Sequence, residues 1–149
     1  MVLKIIKKKN KKVVKKPQKE KKQGITDFYL NFANKYRKIY GEQCIVVLES
    51  GHFMEVYGYS EDEPQLQICR DILNIMVTRR DKTDTKSNQY KQFMAGIPTH
   101  SIKKYYKTLL RNNFTVVIVS QITSPPAEVI RKVTQILSPG CSLSEDIYN

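Results

Sequence analysis

Phe53 and Glu55 are the two residues in this sequence whose types and spacing are best suited to binding chemistry. They lie two positions apart, so on a β-strand both side chains leave the same face. A strand that buries this face normally carries a second apolar residue where Glu55 stands. A ring beside a carboxylate suits a ligand with both a flat ring and a hydrogen-bond donor, as a nucleobase has. Taken alone, the pair also fits an ordinary strand with Phe53 in the core and Glu55 in solvent.

The residues around this pair predict the hairpin that must position it. Apolar and polar residues alternate on both sides of Gly51, as they do in two short strands joined at Ser50-Gly51. Residues 44–48 form an apolar run typical of a buried strand, and residues 51–57 are predicted to pair with it.

A helix is predicted to precede this hairpin, with Thr26 as its N-cap and Gly41 at its end. Its large apolar residues recur at helical spacing, which indicates a face directed toward the core. These residues are Phe28, Tyr29, Phe32, Tyr36 and Ile39.

The rest of the chain predicts two further helices and four further strands. A helix begins near Pro64, and another spans residues 101–112 with Ser101 as its cap. Strands are predicted at residues 75–80, 94–98, 114–122 and 129–137, with a polar loop at 81–91; the run within 114–122 is apolar enough to be central and buried on both faces. We therefore expect an α/β (α+β) fold: a mixed β-sheet of about six strands with helices packed on it.

The positive charge of the chain is concentrated at its N-terminus. Residues 1–24 hold eleven Lys and one Glu, a net charge of +10, whereas residues 25–149 hold fifteen Lys or Arg against thirteen Asp or Glu, a net charge of +2. A block this dense in like charge predicts a disordered arm, residues 1–24, before a folded domain, residues 25–149. The arm fits a solubilising tail, a nuclear-import signal or a phosphate-binding segment equally well.

Cysteines, histidines and apolar runs limit the other classes of site. The three cysteines are far apart and only two histidines are present, so we expect buried thiols in a reducing compartment and no metal site. No apolar run reaches membrane-spanning length, so no membrane partner is expected. The first 36 residues contain no Arg, which favours a nuclear or cytoplasmic location over a mitochondrial one.

Residues 25–149 resemble, nearly from end to end, the N-terminal mismatch-recognition domain of the MutS family of DNA mismatch repair proteins. Gly51-His52-Phe53-Met54-Glu55 matches the family's Gly-Asp-Phe-Tyr-Glu. Four further motifs follow in the same order, at residues 73–80, 94–100, 116–121 and 131–140. The chain departs from the bacterial pattern at His52 and Met54, and at Ser50, where an apolar residue is usual.

The resemblance implies a role for individual residues. Phe53 matches the family's wedge, which stacks on a mispaired base, and Glu55 matches the carboxylate that hydrogen-bonds that base. Arg80 matches a position that faces the DNA backbone, and Arg79 and Lys82 lie beside it. The implied partner is double-stranded DNA that contains mismatches or small loops.

Enzyme activity is not expected in this chain. It lacks a Gly-x-x-x-x-Gly-Lys-Ser/Thr loop, so the resemblance assigns ATP, magnesium and dimer contacts to other domains of the family. By the same resemblance the chain looks like a fragment of such a protein or the product of a shortened gene. Two alternatives remain open: a small metal-dependent nuclease and a basic DNA-binding module without mismatch selectivity. A nuclease would have to bring together distant carboxylates, those of Glu49, Glu55, Asp62 and Asp71.

Overall fold

A computed structural model describes residues 24–80 and 91–140. The predicted Lys-rich arm up to residue 23, and the predicted loop up to residue 90, lie outside these described residues. The described part is an α+β fold with the predicted order of elements. The helices are α1 (Ile25–Tyr40), α2 (Pro64–Asp71) and α3 (Ile102–Arg111), and the strands are β1 (Cys44–Ser50), β2 (Phe53–Gly58), β3 (Thr78–Arg79), β4 (Phe93–Pro98), β5 (Thr115–Gln121) and β6 (Arg131–Leu137).

The six strands form one mixed sheet in the order β3-β4-β2-β1-β5-β6. Strands β1 and β5 run parallel, and every other neighbouring pair is antiparallel. The two parallel strands carry the continuous apolar runs and are buried from Cys44 to Leu48 and from Thr115 to Val119. The prediction that residues 114–122 contain a strand buried on both faces is thereby confirmed.

The hairpin between β1 and β2 forms as predicted, with its turn one residue later. Ser50 pairs with Phe53, so the turn residues are Gly51 and His52 rather than Ser50 and Gly51. Gly51 has a φ of 58°, a conformation that glycine adopts without the steric cost of a Cβ. This two-residue turn places Phe53 at the very start of β2.

Helix α1 packs on the sheet with its aromatic face, but its N-cap is not Thr26. The helix begins at Ile25 after Gly24, while Thr26 is fully buried and its hydroxyl donates a hydrogen bond to Gln92 Oε1 at 2.6 Å. Gly41 ends the helix as predicted, at a φ of 85°. The prediction that Ile39 faces the core is wrong, because its side chain, in the last turn of α1, is 59% exposed.

Strand β3 is much shorter than the predicted strand at residues 75–80. The N–H of Ile75 donates to Cys69 O at 2.9 Å, so the chain after α2 first completes the helix end rather than the sheet. Only Thr78 and Arg79 pair with β4. Strand β6 likewise begins two residues later than predicted, and Ser101 caps α3 by position without a side-chain hydrogen bond.

Candidate nucleic-acid interface

Phe53 and Glu55 lie on one face of the sheet, which we call the Phe53 face. Phe53 is directly opposite Pro98 of β4, and Glu55 is directly opposite Gly96. Because Gly96 has no side chain, the space between the pair is open. A Cβ at that position would lie 3.7 Å from Phe53 Cδ1 and 3.8 Å from Glu55 Cγ.

Exposure falls steadily along this face of β2. The Phe53 side chain is 45% exposed, Glu55 is half-buried, and Tyr57 is only 1% exposed. The interpretation of Phe53 as a core residue is therefore wrong. The intervening residues Met54 and Val56 are buried on the other face, which explains why the strand is stable although Phe53 is left in solvent.

The Glu55 carboxyl group is held by hydroxyl donors from two strands. The hydroxyl of Tyr57 donates a hydrogen bond to Glu55 Oε2, and Ser50 on β1 also hydrogen-bonds this side chain. Desolvation by burial raises the pKa of Glu55, while Arg80, Arg131 and the Ser50 hydrogen bond each act to lower it. The carboxyl group is thus partly removed from water and still oriented by defined partners.

Arg80 lies on the Phe53 face, as its predicted role requires. Its guanidinium is 5.9 Å from the centroid of the Tyr57 ring, and Nη1 donates to Gln92 Oε1 at 3.0 Å. The Arg80 side chain remains exposed, so it can offer its other N–H groups to a phosphate.

Arg79 and Lys82 do not join Arg80 in a cluster that the structure describes. Arg79 pairs with Phe93, which places its side chain on the opposite face of the sheet, where its Nε is buried without a hydrogen-bond partner. Lys82 lies outside the described residues. Adjacent positions in a strand point to opposite faces, so Arg79 and Arg80 cannot act as one contact.

Arg131 is a residue of the Phe53 face that the sequence did not single out as a site. Residues that pair across neighbouring strands lie on the same face, and Glu55 pairs with Leu48, Leu48 with Val119, and Val119 with Val133. Arg131 lies two residues before Val133 in β6, so it is on this face as well. The sequence feature that could have pointed to it is the alternation of residues 129–137, in which Arg131 shares one side of the strand with Val133. The Phe53 face therefore carries two guanidinium groups, Arg80 and Arg131, on either side of Glu55.

Backbone contacts fix Arg131 against the hairpin strand. Its Nε donates to the Glu49 carbonyl at 2.8 Å, and the Glu49 carboxylate accepts from the Gln121 N–H at 3.0 Å. These bonds tie β6 and β5 to the β1–β2 hairpin. Arg131 is also close enough to Glu55 to act on the pKa of that carboxyl group, which it lowers.

Within residues 24–80 and 91–140, no three His, Cys, Asp or Glu side chains come together in a way that could hold a metal ion. In the same part of the chain, no helix is both long and apolar enough to cross a membrane. The four carboxylates considered for a nuclease therefore do not form a metal cluster in the described structure.

The fold and the site together define a class: a mixed-sheet α+β domain that presents an exposed ring beside a half-buried carboxylate, with guanidinium groups around them. The chain belongs to the MutS family, because the model for MutS domain I matches residues 23–146. This match confirms the resemblance seen in the five motifs.

Three relatives illustrate how far the similarity extends. DNA mismatch repair protein MutS of Thermodesulfovibrio yellowstonii is 34% identical over 122 residues, which are 80% of this chain and 13% of that protein. A putative DNA mismatch repair protein mutS homolog of Acanthamoeba polyphaga mimivirus is 33% identical over 84% of this chain and 11% of its own length. MutS of Petrotoga mobilis is 32% identical over 78% of this chain and 12% of its own length. The chain thus spans roughly an eighth of the curated relatives that it matches.

Proposed function

We propose that this domain binds duplex DNA and recognises mispaired or unpaired bases, with Phe53 as an intercalating wedge and Glu55 as a hydrogen-bond partner of the loosened base. One observation carries the proposal: the ring of Phe53 is exposed beside the half-buried carboxyl group of Glu55, on either side of Gly96. The names of the relatives, which are DNA mismatch repair proteins, support the coarser part of the proposal, a role in binding mismatched DNA; the roles of Phe53 and Glu55 rest on the geometry alone.

The energetics of a wedge favour mismatches without any reading of sequence. Inserting an apolar ring into a duplex unstacks a base step at a cost of a few kcal/mol, and the cost is lower where pairing is already poor. Stacking of a base on the aromatic ring returns about 1–3 kcal/mol. Insertion at a mismatch is then close to balanced, whereas insertion into matched DNA remains unfavourable.

Glu55 adds a polar test that a matched duplex fails. A carboxylate close to DNA phosphates is unfavourable unless it meets a hydrogen-bond donor, and a base released from its pair has a free N–H to offer. Because Glu55 is half-buried, a base donor that satisfies it replaces little hydration. Arg80 and Arg131 flank the site and can offset the repulsion by contacting the phosphates.

The remaining activities of a MutS-type protein belong to other domains in this proposal. ATP and magnesium act in an ATPase domain outside this sequence, and dimer contacts also lie outside it. Stacking and hydrogen bonding need no cofactor, so we propose that this domain itself is a binding module and not an enzyme.

The test is the ratio of affinities for a mismatched and a matched duplex, measured by fluorescence anisotropy with the 149-residue chain at low salt. We expect Phe53→Ala and Glu55→Ala to lower this ratio toward one. Tyr40→Ala is a matched control, since Tyr40 is 41% exposed at the end of α1, and Glu61→Ala controls for loss of an exposed carboxylate.

The alternatives give different outcomes in the same experiment. If both variants keep the wild-type ratio, the residue assignment is wrong. A ratio near one for the wild-type chain would instead identify a DNA-binding module without selectivity. Magnesium-dependent cleavage of a supercoiled plasmid would indicate the nuclease.

A further inference from the structure

Tyr57 is unusual for a buried tyrosine, because its hydroxyl hydrogen-bonds Glu55, a residue of the proposed binding site. Its ring is 1% exposed, packs edge-on against Tyr29 of α1 with centroids 5.7 Å apart, and lies under the guanidinium of Arg80. The hydroxyl donates to Glu55 Oε2. With the ring fixed on two sides, the hydroxyl group has a defined direction.

Tyr29 shows what an ordinary buried tyrosine does in the same core. Its hydroxyl donates to the Val46 carbonyl at 2.7 Å, so its polar end is satisfied by the backbone. Tyr57 is buried as deeply, yet its hydroxyl bonds a side chain that faces the proposed DNA surface. A phenylalanine would fill the same space in the core, so packing alone does not account for this hydroxyl.

We propose that Tyr57 is a positioning residue for Glu55: its hydroxyl holds Oε2 so that the carboxylate meets the loosened base as a hydrogen-bond acceptor in one fixed orientation. The inference rests on the proposed function and deepens it. An acceptor carboxylate selects bases that present a free N–H, such as the imino groups of guanine and thymine in a G·T pair. A carboxyl group has about four acceptor positions, so the one that Tyr57 occupies leaves others for the base.

The polar groups that face Glu55 come from four strands or their ends. They are Tyr57 on its own strand, Ser50 on β1, Arg80 directly after β3 and Arg131 on β6, while β4 contributes only Gly96. Burial raises the pKa of Glu55, and Arg80, Arg131 and the Ser50 hydrogen bond act against it. A hydroxyl donor such as that of Tyr57 also favours the ionised, acceptor form of a carboxyl group. Without the Tyr57 hydroxyl the pKa of Glu55 should rise further. As the pH is lowered, mismatch selectivity should then disappear at a higher pH than in the wild-type protein.

The experiment compares wild-type protein with Tyr57→Phe, which removes only the hydroxyl. The mismatched-to-matched affinity ratio is measured from neutral to acidic pH with a G·T duplex, whose bases do not titrate in this range. We expect Tyr57→Phe to reduce the ratio roughly 3- to 10-fold at neutral pH, the loss expected for one hydrogen bond, and to move its midpoint to higher pH. Tyr59→Phe is the matched control, because the Tyr59 hydroxyl bonds the carboxylate of Asp27 instead.

A double-mutant cycle separates positioning from a merely structural effect. If the hydroxyl acts through Glu55, Tyr57→Phe should have little further effect in a Glu55→Gln background. A general loss of packing would instead lower the affinity for matched and mismatched DNA alike at every pH. That result, or additivity in the cycle, would overturn the inference.

Two further outcomes keep this inference distinct from the proposed function. If Glu55→Gln loses selectivity while Tyr57→Phe keeps the wild-type ratio and midpoint, the role of Tyr57 is refuted and the proposed function stands. If Glu55→Gln keeps the ratio, the roles of Glu55 and Tyr57 are both refuted, and the Phe53→Ala comparison decides the wedge separately. A wild-type ratio that does not fall toward acidic pH would overturn the acceptor role without any variant.

Discussion

Gly96 offers a direct test of whether a base occupies the space between Phe53 and Glu55. Replacing it with alanine adds a methyl group 3.7 Å from Phe53 Cδ1 and 3.8 Å from Glu55 Cγ. Both distances are ordinary van der Waals contacts, so nothing in the free protein has to move. Because the Gly96 backbone is in an ordinary strand conformation, the substitution should leave the fold unchanged or stabilise it by roughly 0.4–1 kcal/mol.

The effect on DNA binding should have the opposite sign. A base that stacks on Phe53 and reaches Glu55 must pass over Gly96, and an added side chain narrows that space. We expect Gly96→Ala to reduce the mismatched-to-matched affinity ratio about 3-fold, and Gly96→Val to remove most of the stacking contribution, which is about 1–3 kcal/mol or roughly 5- to 150-fold. Affinity for matched duplex should hardly change.

The assay is the same ratio of mismatched to matched affinity by fluorescence anisotropy, with thermal unfolding of each variant measured in parallel. Gly24→Ala serves as the control, because a Cβ at Gly24 meets nothing within 4 Å and lies at the start of α1, away from Phe53 and Glu55. A folded Gly96→Val variant that retains the wild-type ratio would refute the reasoning. The base would then have to approach Phe53 and Glu55 from another side.

Three further predictions concern charge. Glu55→Gln should raise the free energy of unfolding at neutral pH, because burial raises the pKa of Glu55 and so makes its ionised form unfavourable in the folded state; the gain should be less than about 1 kcal/mol, since solvent screens a half-buried group. Below the usual pKa of 4.5 the carboxyl group is protonated in both states and the gain should vanish, which urea denaturation at neutral and acidic pH would test. Arg80→Gln should reduce the slope of log K against log salt by roughly 0.9 on both duplexes, while Arg70→Gln, an exposed arginine beside Asp71, should not. Deleting residues 1–24 should weaken all DNA binding and flatten the same slope, yet keep the mismatch preference; an unchanged slope would leave the import or solubility roles.

Much of the fold followed from local patterns that the structure retains. The apolar runs at residues 44–48 and 114–122 predicted buried strands, and they became β1 and β5, the parallel pair of the sheet. The alternation around Gly51 predicted the hairpin because two-residue turns require a residue that tolerates positive φ. Gly41 marked the end of α1 for the same reason.

Features that depend on register could not be read from the sequence. Arg79 and Arg80 are adjacent residues of the same type, so the sequence gives no reason to separate them. The pairing of Arg79 with Phe93 places their side chains on opposite faces of the sheet. Arg131 reaches the Phe53 face only through a chain of pairings across β5 and β1, which no local pattern specifies. Thr26 has the right type for an N-cap, but its hydroxyl is used by Gln92, 66 residues away.

The position of the β1–β2 hairpin in the sheet has a mechanical consequence. Phe53 sits on a strand that is hydrogen-bonded along both edges, to β1 and to β4, and β1 is itself bonded to β5. Such a support is stiff compared with a surface loop, so the backbone that carries Phe53 should move little when the ring inserts into a duplex as we propose. On that proposal the nucleic acid takes up most of the strain of insertion, and the deformability of each base step should determine where the ring enters.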